Sequence, residues 1–276
     1  MKTDVQRFMF GTGMIIDGEV NLRPGAVIRP ASLAGDAVYL QKRAADQRVL
    51  GMLYALHESI TFEFQISASS DQAAAIDIWN AQWDLIFLSI IARHPVYWPF
   101  GSVGDCSDND KSIFLNNLVF SRWAYHPAKK MQQNHWQTYA ELIVNFKNLL
   151  NDQRFIHATS VAATHYNIMN GSVRMAAIWS AIEALLGFDH ELSFRISSAV
   201  AVLLEKDAEN RKRRFRQIKK LYNIRSRSVH GGKIENEKAN AAADQSHQVL
   251  CELLIDFIRR GRLLNPEEAE VLLLGT

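Results

Sequence analysis

The sequence predicts an α+β protein: a mixed, strand-rich N-terminal part with one long helix, followed by an all-helical bundle. Three observations predict it. Residues 58–67 alternate, placing Ile60, Phe62, Phe64 and Ile66 on one face, the period-two pattern of a half-buried strand. Ile76, Trp79, Trp83, Ile86, Phe87 and Ile90 recur at helical spacing and predict one long helix with an apolar stripe. From about residue 134 the apolar positions recur at three and four, punctuated by glycines, so helix follows helix. The predicted domains are 1–130 and 131–276.

The elements can be justified in order. Residues 1 to about 66 read as β-rich and irregular, with a turn signal in Met14–Val20 and with Val27 and Ile28 before Pro30. Asp71 is the expected cap of the long helix, and His94-Pro95 its stop. Ser112–Tyr125 reads as a further strand pair or extended segment, with Trp123 and Tyr125 inward. In the second half Trp136, Tyr139, Ile143, Phe146 and Leu150 line one face, and 155–169 forms the next helix. Asn170-Gly171 breaks the pattern before a helix with Met175, Ile178, Trp179, Ile182 and Leu186 inward, ending at Gly187. Ser193 or His190 starts another, with Ile196, Val200, Leu203 and Leu204 buried. A basic helix begins near Lys206, and 241–260 packs Leu250, Leu253, Leu254, Phe257 and Ile258. Asn265-Pro-Glu-Glu268 supplies a cap, a first-turn proline and a glutamate at the third helical position, a strong helix start.

Composition narrows the function classes. About half of the 276 residues are apolar and a fifth charged, an ordinary globular balance. Apolar runs are too short for a membrane span, and the N-terminus lacks the apolar core of a signal peptide, so a cytoplasmic protein is expected. Cys106 and Cys251 lie far apart and form no CxxC pair, which fits reduced thiols. Gly11-Thr-Gly13 lacks the helix and third glycine of a nucleotide fingerprint. Residues 105–110 are acidic but lack the glycine and distal glutamate of an EF-hand. The histidines show no metal-site spacing beyond His157 and His165, which no acid supports. No metal and no cofactor are expected.

The charge is uneven. Residues 206–227 hold ten Lys/Arg against Asp207 and Glu209, a local +8 in a chain whose total is +2, leaving −6 elsewhere. Such a basic element suits either a polyanion or a solvated helix face. On it Ile218, Leu221, Tyr222 and Val229 mark the core-facing side, and Arg225 falls among them. A buried arginine needs a partner, because it cannot lose its charge. His230 and two glycines follow. Arg225 can clamp non-bridging phosphate oxygens or make a structural ion pair. His230 can move protons near neutral pH or cap the helix end. Positions five apart lie about 140° apart on an ideal helix. Arg225 and His230 therefore converge only if the helix ends near Ser228, or if one of each pair comes from a second subunit. Arg227 lies three residues before His230 on one helical face, and Lys219, Arg216 and Lys212 continue that face at spacings of three and four, a track for an RNA backbone.

The stretches Ile178–Gly187, Leu192–Ser197 and Ile218–Gly231, with Arg225-x4-His230 inside the last, resemble the Apea-like HEPN family; the likeness covers roughly the last 120 residues. The resemblance implies a helical domain, often a metal-independent endoribonuclease of phage defence or toxin systems, with Arg225 and His230 catalytic. It also implies a site shared at a two-fold interface, hence a homodimer through the helical half. Glu183 matches the glutamate of that family's helix, where it pairs with Arg225, orients His230, or is purely structural. The N-terminal part carries no motif; a sensing or restraining role for it, with some regulatory trigger or partner, is implied by resemblance alone. Two functions stand open: an endoribonuclease, or a non-catalytic HEPN module binding RNA or a partner protein through the basic helix.

Overall fold

The computed structural model describes residues 5–33, 37–104, 112–116, 126–229 and 234–273. The architecture is α+β, and the chain divides into two compact units, Met1–Ala140 and Glu141–Thr276. His230 and the glycines after it lie outside the described residues, as do Cys106, Trp123 and Tyr125.

The first unit is built on β1 (Val5–Thr12), β2 (Met14–Ile15), β3 (Val20–Arg23), β4 (Ala26–Pro30), β5 (Phe62–Ala68), β6 (Tyr97–Val103), β7 (Ile113–Leu115) and β8 (Lys129–Lys130). Six of these form an antiparallel sheet in the order β3-β4-β5-β1-β6-β7, while β2 pairs in parallel with β8. Opposed residues in an antiparallel ladder point to the same side, so register assigns the faces. Phe10 lies opposite Glu63 and Phe8 opposite Gln65, whereas Met9 lies opposite Phe64 and Gly11 opposite Phe62. Phe8 and Phe10 pack under α1 (Ala37–Arg43) and α2 (Gln47–Leu56), in a cluster with Leu40, Val49, Leu53 and Phe100. The long helix α3 (Asp71–Ala92) lies against β1 and β5 and is tied to β1 by Arg7 Nη2 donating to Asp71 Oδ1 at 2.6 Å. It is long and apolar enough to cross a membrane, yet half of that apolar stretch is buried.

The expected strand is present as Phe62–Ala68, with Phe62, Phe64 and Ile66 buried; it starts after Ile60, because His57–Ser59 forms a 3₁₀ turn and Ile60 packs with Phe8 and Phe10 instead. Three expectations need correction. Residues 1–66 contain two helices as well as strands. The second is capped by Asp46, whose carboxylate accepts from the amides of Arg48 and Val49. The cap of α3 is Ser70, whose hydroxyl accepts from Ala73 N; Asp71 is the first helical residue. Finally, the apolar stripe of α3 does not face the core throughout, since Ile76 and Trp79 are 54% and 71% exposed. The buried side is Ala74, Ala81, Leu85 and Leu88: small residues let the first turns lie close to the sheet and turn the bulky ones outward.

The second unit comprises the C-terminal part of α4 (Gln133–Leu149) with α5 (Gln153–Thr164), α6 (Gly171–Leu186), α7 (Leu192–Leu204), α8 (Ala208–Val229), α9 (Asn236–Arg260) and α10 (Pro266–Leu273). A 3₁₀ turn at His165–Asn167 ends α5 earlier than expected, and Glu191, not Ser193 or His190, precedes α7. The buried line of α4 runs through Leu142, Phe146 and Leu149, so Ile143 and Leu150 are only partly covered. Asn265 and Glu268 make the reciprocal cap that the sequence announces: Glu268 N donates to Asn265 Oδ1 at 2.8 Å and Asn265 N to Glu268 Oε2 at 3.1 Å.

Helix α6 is central, packing against α5, α8 and α9. At Gly171 its first turn nearly touches α9: a Cβ there would fall 2.7 Å from Asn240 N, and Gly171 N donates to Asn236 Oδ1 at 2.8 Å. Beside this contact lies a buried polar cluster. His247 Nε2 donates to Ala162 O, 3.1 Å, since a carbonyl can only accept, so its Nδ1 takes the Tyr166 hydroxyl hydrogen, 3.1 Å. His165 stacks on His247 with centroids 4.1 Å apart and uses Nδ1–H on the carbonyls of Val161 and Ala162. Its Nε2 is buried without a hydrogen-bond partner among the described residues. Burial, then the neighbouring His247 and Arg174, hold the His165 imidazole well below its ordinary pKa.

Candidate functional site

The candidate site is organised by α8. Twelve of its 22 residues are Arg, Lys, Gln, Leu or Glu, which lose little freedom in a helix. Asp207 caps it, accepting from Asn210 N at 2.9 Å. Ile218, Leu221 and Tyr222 are buried, one stripe of the helix, while Val229, expected on the same stripe, is 47% exposed: it is the last helical residue.

Two contacts fix α8 on α6. Trp179, fully buried, meets the Tyr222 ring edge-on with centroids 5.2 Å apart. One turn further along each helix, Arg225 Nη2 donates to Glu183 Oε2 at 3.3 Å and lies 3.2 Å from Oε1. Both side chains are 19% exposed, and the Arg225 guanidinium also stands over the Tyr222 ring, 5.5 Å from its centroid. Burial pushes the Glu183 carboxyl above its ordinary pKa, and Arg225 recovers only part of that shift. Burial, then the Glu183 charge, raises Tyr222 as well. The pair is not fully satisfied: Arg225 Nε and Glu183 Oε1 are buried and make no hydrogen bond among the described residues.

Along the solvent side of α8 runs an open groove bounded by the start of α9. Arg216, Lys219, Lys220 and Arg227 line it from α8, with Ile234, Glu235 and Lys238 opposite. Five cations face one acid, so the groove is a concave strip of positive potential. Three of the four residues expected to form a track, Arg216, Lys219 and Arg227, share this groove. Lys212 lies further toward the helix start, its ammonium 2.8 Å from Glu209. His230 lies outside the described residues, between the last residue of α8 and Ile234. Among the described residues no group of three or more His, Cys, Asp or Glu is gathered as a metal-ligand set.

Sequence reasoning missed Lys238 and Lys220 as groove residues. Lys238 sits between Glu235, Glu237 and a run of alanines, where local charge gives no sign of it; only the return of α9 beside α8 brings it in. It also missed Arg214, which bridges Glu205 and Glu252 at 2.9 and 3.2 Å and ties α8 to α9. The spacing Glu205–Arg214–Glu252 has no local period to find.

No protein-family model, no curated protein and no solved structure matches this chain.

Proposed function

We propose that the helical unit is a metal-independent endoribonuclease of the HEPN type. RNA binds along the groove between α8 and α9 and is cut at the end of α8, where Arg225 stands on the α6-facing side of the helix, outside the groove lining, and His230 follows Val229 in sequence. The observation that carries this reading is the groove itself: Arg216, Lys219, Lys220 and Arg227 of α8 and Lys238 of α9 around a single acid, at the helix whose last residue, Val229, precedes His230 in sequence. Phosphates of a single strand suit such a strip, and binding there releases counterions.

In this reading His230 takes the proton of a ribose 2′-hydroxyl, whose oxygen attacks the adjacent phosphorus. The 5′ oxygen of the next nucleotide leaves with a proton. The products are a 2′,3′-cyclic phosphate and a 5′-hydroxyl, with no water consumed and no redox change. Arg225 stabilises charge on the non-bridging oxygens. Glu183 is a positioning residue that holds the guanidinium through one Nη. The same reading makes the protein cytoplasmic and homodimeric through its helical half, with the N-terminal unit as sensor or restraint in phage defence or a toxin system.

One observation favours a second reading. Arg225 already has an anionic partner in Glu183 and an aromatic one in Tyr222, as a purely structural arginine would. The protein would then bind RNA, or an acidic partner protein, through the groove without cutting. The test is purified wild type against His230→Ala on a mixed RNA pool in EDTA. Cleavage by wild type alone supports the nuclease, equal cleavage by both overturns it, and salt-sensitive binding with no cleavage by either favours the binding module.

A further inference from the structure

Phe194 and Phe215 make an aromatic corner where α7 meets α8. Their rings are T-shaped, with centroids 5.9 Å apart and planes at 71°. Lys219 Nζ stands 5.7 Å from the centroid of Phe215. Lys219 also lines the cationic groove, so one side chain joins the aromatic corner to the proposed path of the phosphates. Phe215 is partly covered and helps hold α7 against α8. Phe194 is different: it lies in the first turn of α7 and is 55% exposed. An aromatic ring this open contributes little to the core, yet it meets Phe215 edge-on, and the Lys219 ammonium stands over that second ring.

We propose that Phe194, braced by Phe215, is a stacking step for an unpaired nucleobase of RNA whose backbone follows the groove. This rests on the RNA reading above and adds a subsite to it. A nucleobase has a flat apolar face and a phosphate within a few bonds of it, so a ring beside a cationic strip matches both parts of one nucleotide. Stacking is tolerant of sequence because every base has such a face. Bases inside a duplex are already stacked and cannot present that face, so the strand at this step is unpaired. A second copy of this chain fits poorly on the same corner. A two-fold contact there would oppose the cations of one α8 to those of the other, and like charges brought together across an interface cost several kcal/mol.

The test uses the full chain and an uncleavable probe, a fluorescein-labelled 2′-O-methyl oligouridine, free or annealed to its complement, read by anisotropy. Phe194→Ala and Phe194→Leu are each expected to weaken the single strand about ten-fold, the usual worth of one stacked base. Phe194→Trp is expected to retain binding, and the duplex to bind indifferently to all three. Phe194 is exposed, so these variants should fold as wild type, which circular dichroism checks. If Phe194→Ala and Phe194→Leu bind as wild type while Arg227→Glu weakens binding, the stacking step is wrong and the RNA reading stands. If Leu retains what Ala loses, the contact is merely apolar and the stacking step is wrong. If wild type binds neither probe, both readings fall. If Phe194→Ala instead dissociates an oligomer by light scattering, the corner is an interface between copies.

Discussion

Arg225 of α8 and Glu183 of α6 stand 3.2 Å apart, at the same 19% exposure. The contact is partly desolvated and therefore asymmetric in its consequences. Removing one partner strands the other charge, whereas replacing both with apolar residues does not. Arg225→Ala and Glu183→Ala are each expected to destabilise by about 1–3 kcal/mol. The double replacement Glu183→Leu/Arg225→Met should regain most of that stability and still fail to cleave RNA. Urea unfolding and a cleavage assay on the three variants decide it; a double variant that cleaves normally would remove Arg225 from the chemistry.

His230→Ala should lower RNA cleavage by about 10²- to 10⁴-fold, the range for loss of a general acid or base. Binding of uncleaved RNA should be unchanged. The wild-type products should end in a 2′,3′-cyclic phosphate and a 5′-hydroxyl. End-group analysis with a phosphatase and a polynucleotide kinase distinguishes these from a 5′-phosphate.

Affinity for single-stranded RNA should fall steeply with salt. Five groove cations imply a slope of log K against log salt of about −3 to −4. Arg227→Gln and Lys238→Gln should each flatten that slope by about 0.7 and weaken all sequences alike. Lys212→Gln should change it less, because Lys212 is already bonded to Glu209. A titration series at several salt concentrations provides the comparison.

Acid should loosen both units for the same physical reason. His165 in the helical unit is held well below its ordinary pKa by burial. His94 in the N-terminal unit is pushed down to about 4 by burial, then by His126 and Lys129. An unfolded chain protonates these rings below about 6.5. The unfolded state therefore binds more protons than the folded state between that value and the folded one, and stability falls as pH drops through that window. Urea midpoints at pH 7.5 and pH 5 should differ, and His165→Asn should shrink the difference. An unchanged pH dependence in His165→Asn would show that this imidazole titrates normally.

The legible parts of the fold were those written in local period or local chemistry. Phe62–Ile66 reads as a strand because Phe62, Phe64 and Ile66 alternate with polar residues, and Asn265–Glu268 reads as a helix start because both halves of the cap lie within one turn. The outward rotation of Trp79 was not legible. Which side of α3 is buried depends on how closely Ala74 and Ala81 let it approach the sheet, a tertiary matter. The site divides the same way. Arg225 stood out as a lone charge on an apolar stripe, and Arg216, Lys219 and Arg227 as a helical row. Lys238 and the Arg214–Glu205–Glu252 bridge depend on α9 returning alongside α8, and no spacing within either helix encodes that return.

Gly171 has a consequence for how mutational data on this protein should be interpreted. Its missing side chain lets Asn236, the first residue of α9, sit against α6, while Glu183 on the same helix holds α8 by Arg225. The chain on either side of His230 is thus moored to two points of one helix. A methyl group added at 171 would shift one mooring, and Lys238 with it, while removing no cation and no proton-carrying group. Gly171→Ala could therefore silence the protein while its purified product still binds RNA and melts cooperatively, and a genetic screen would score as chemistry what is a fault of alignment.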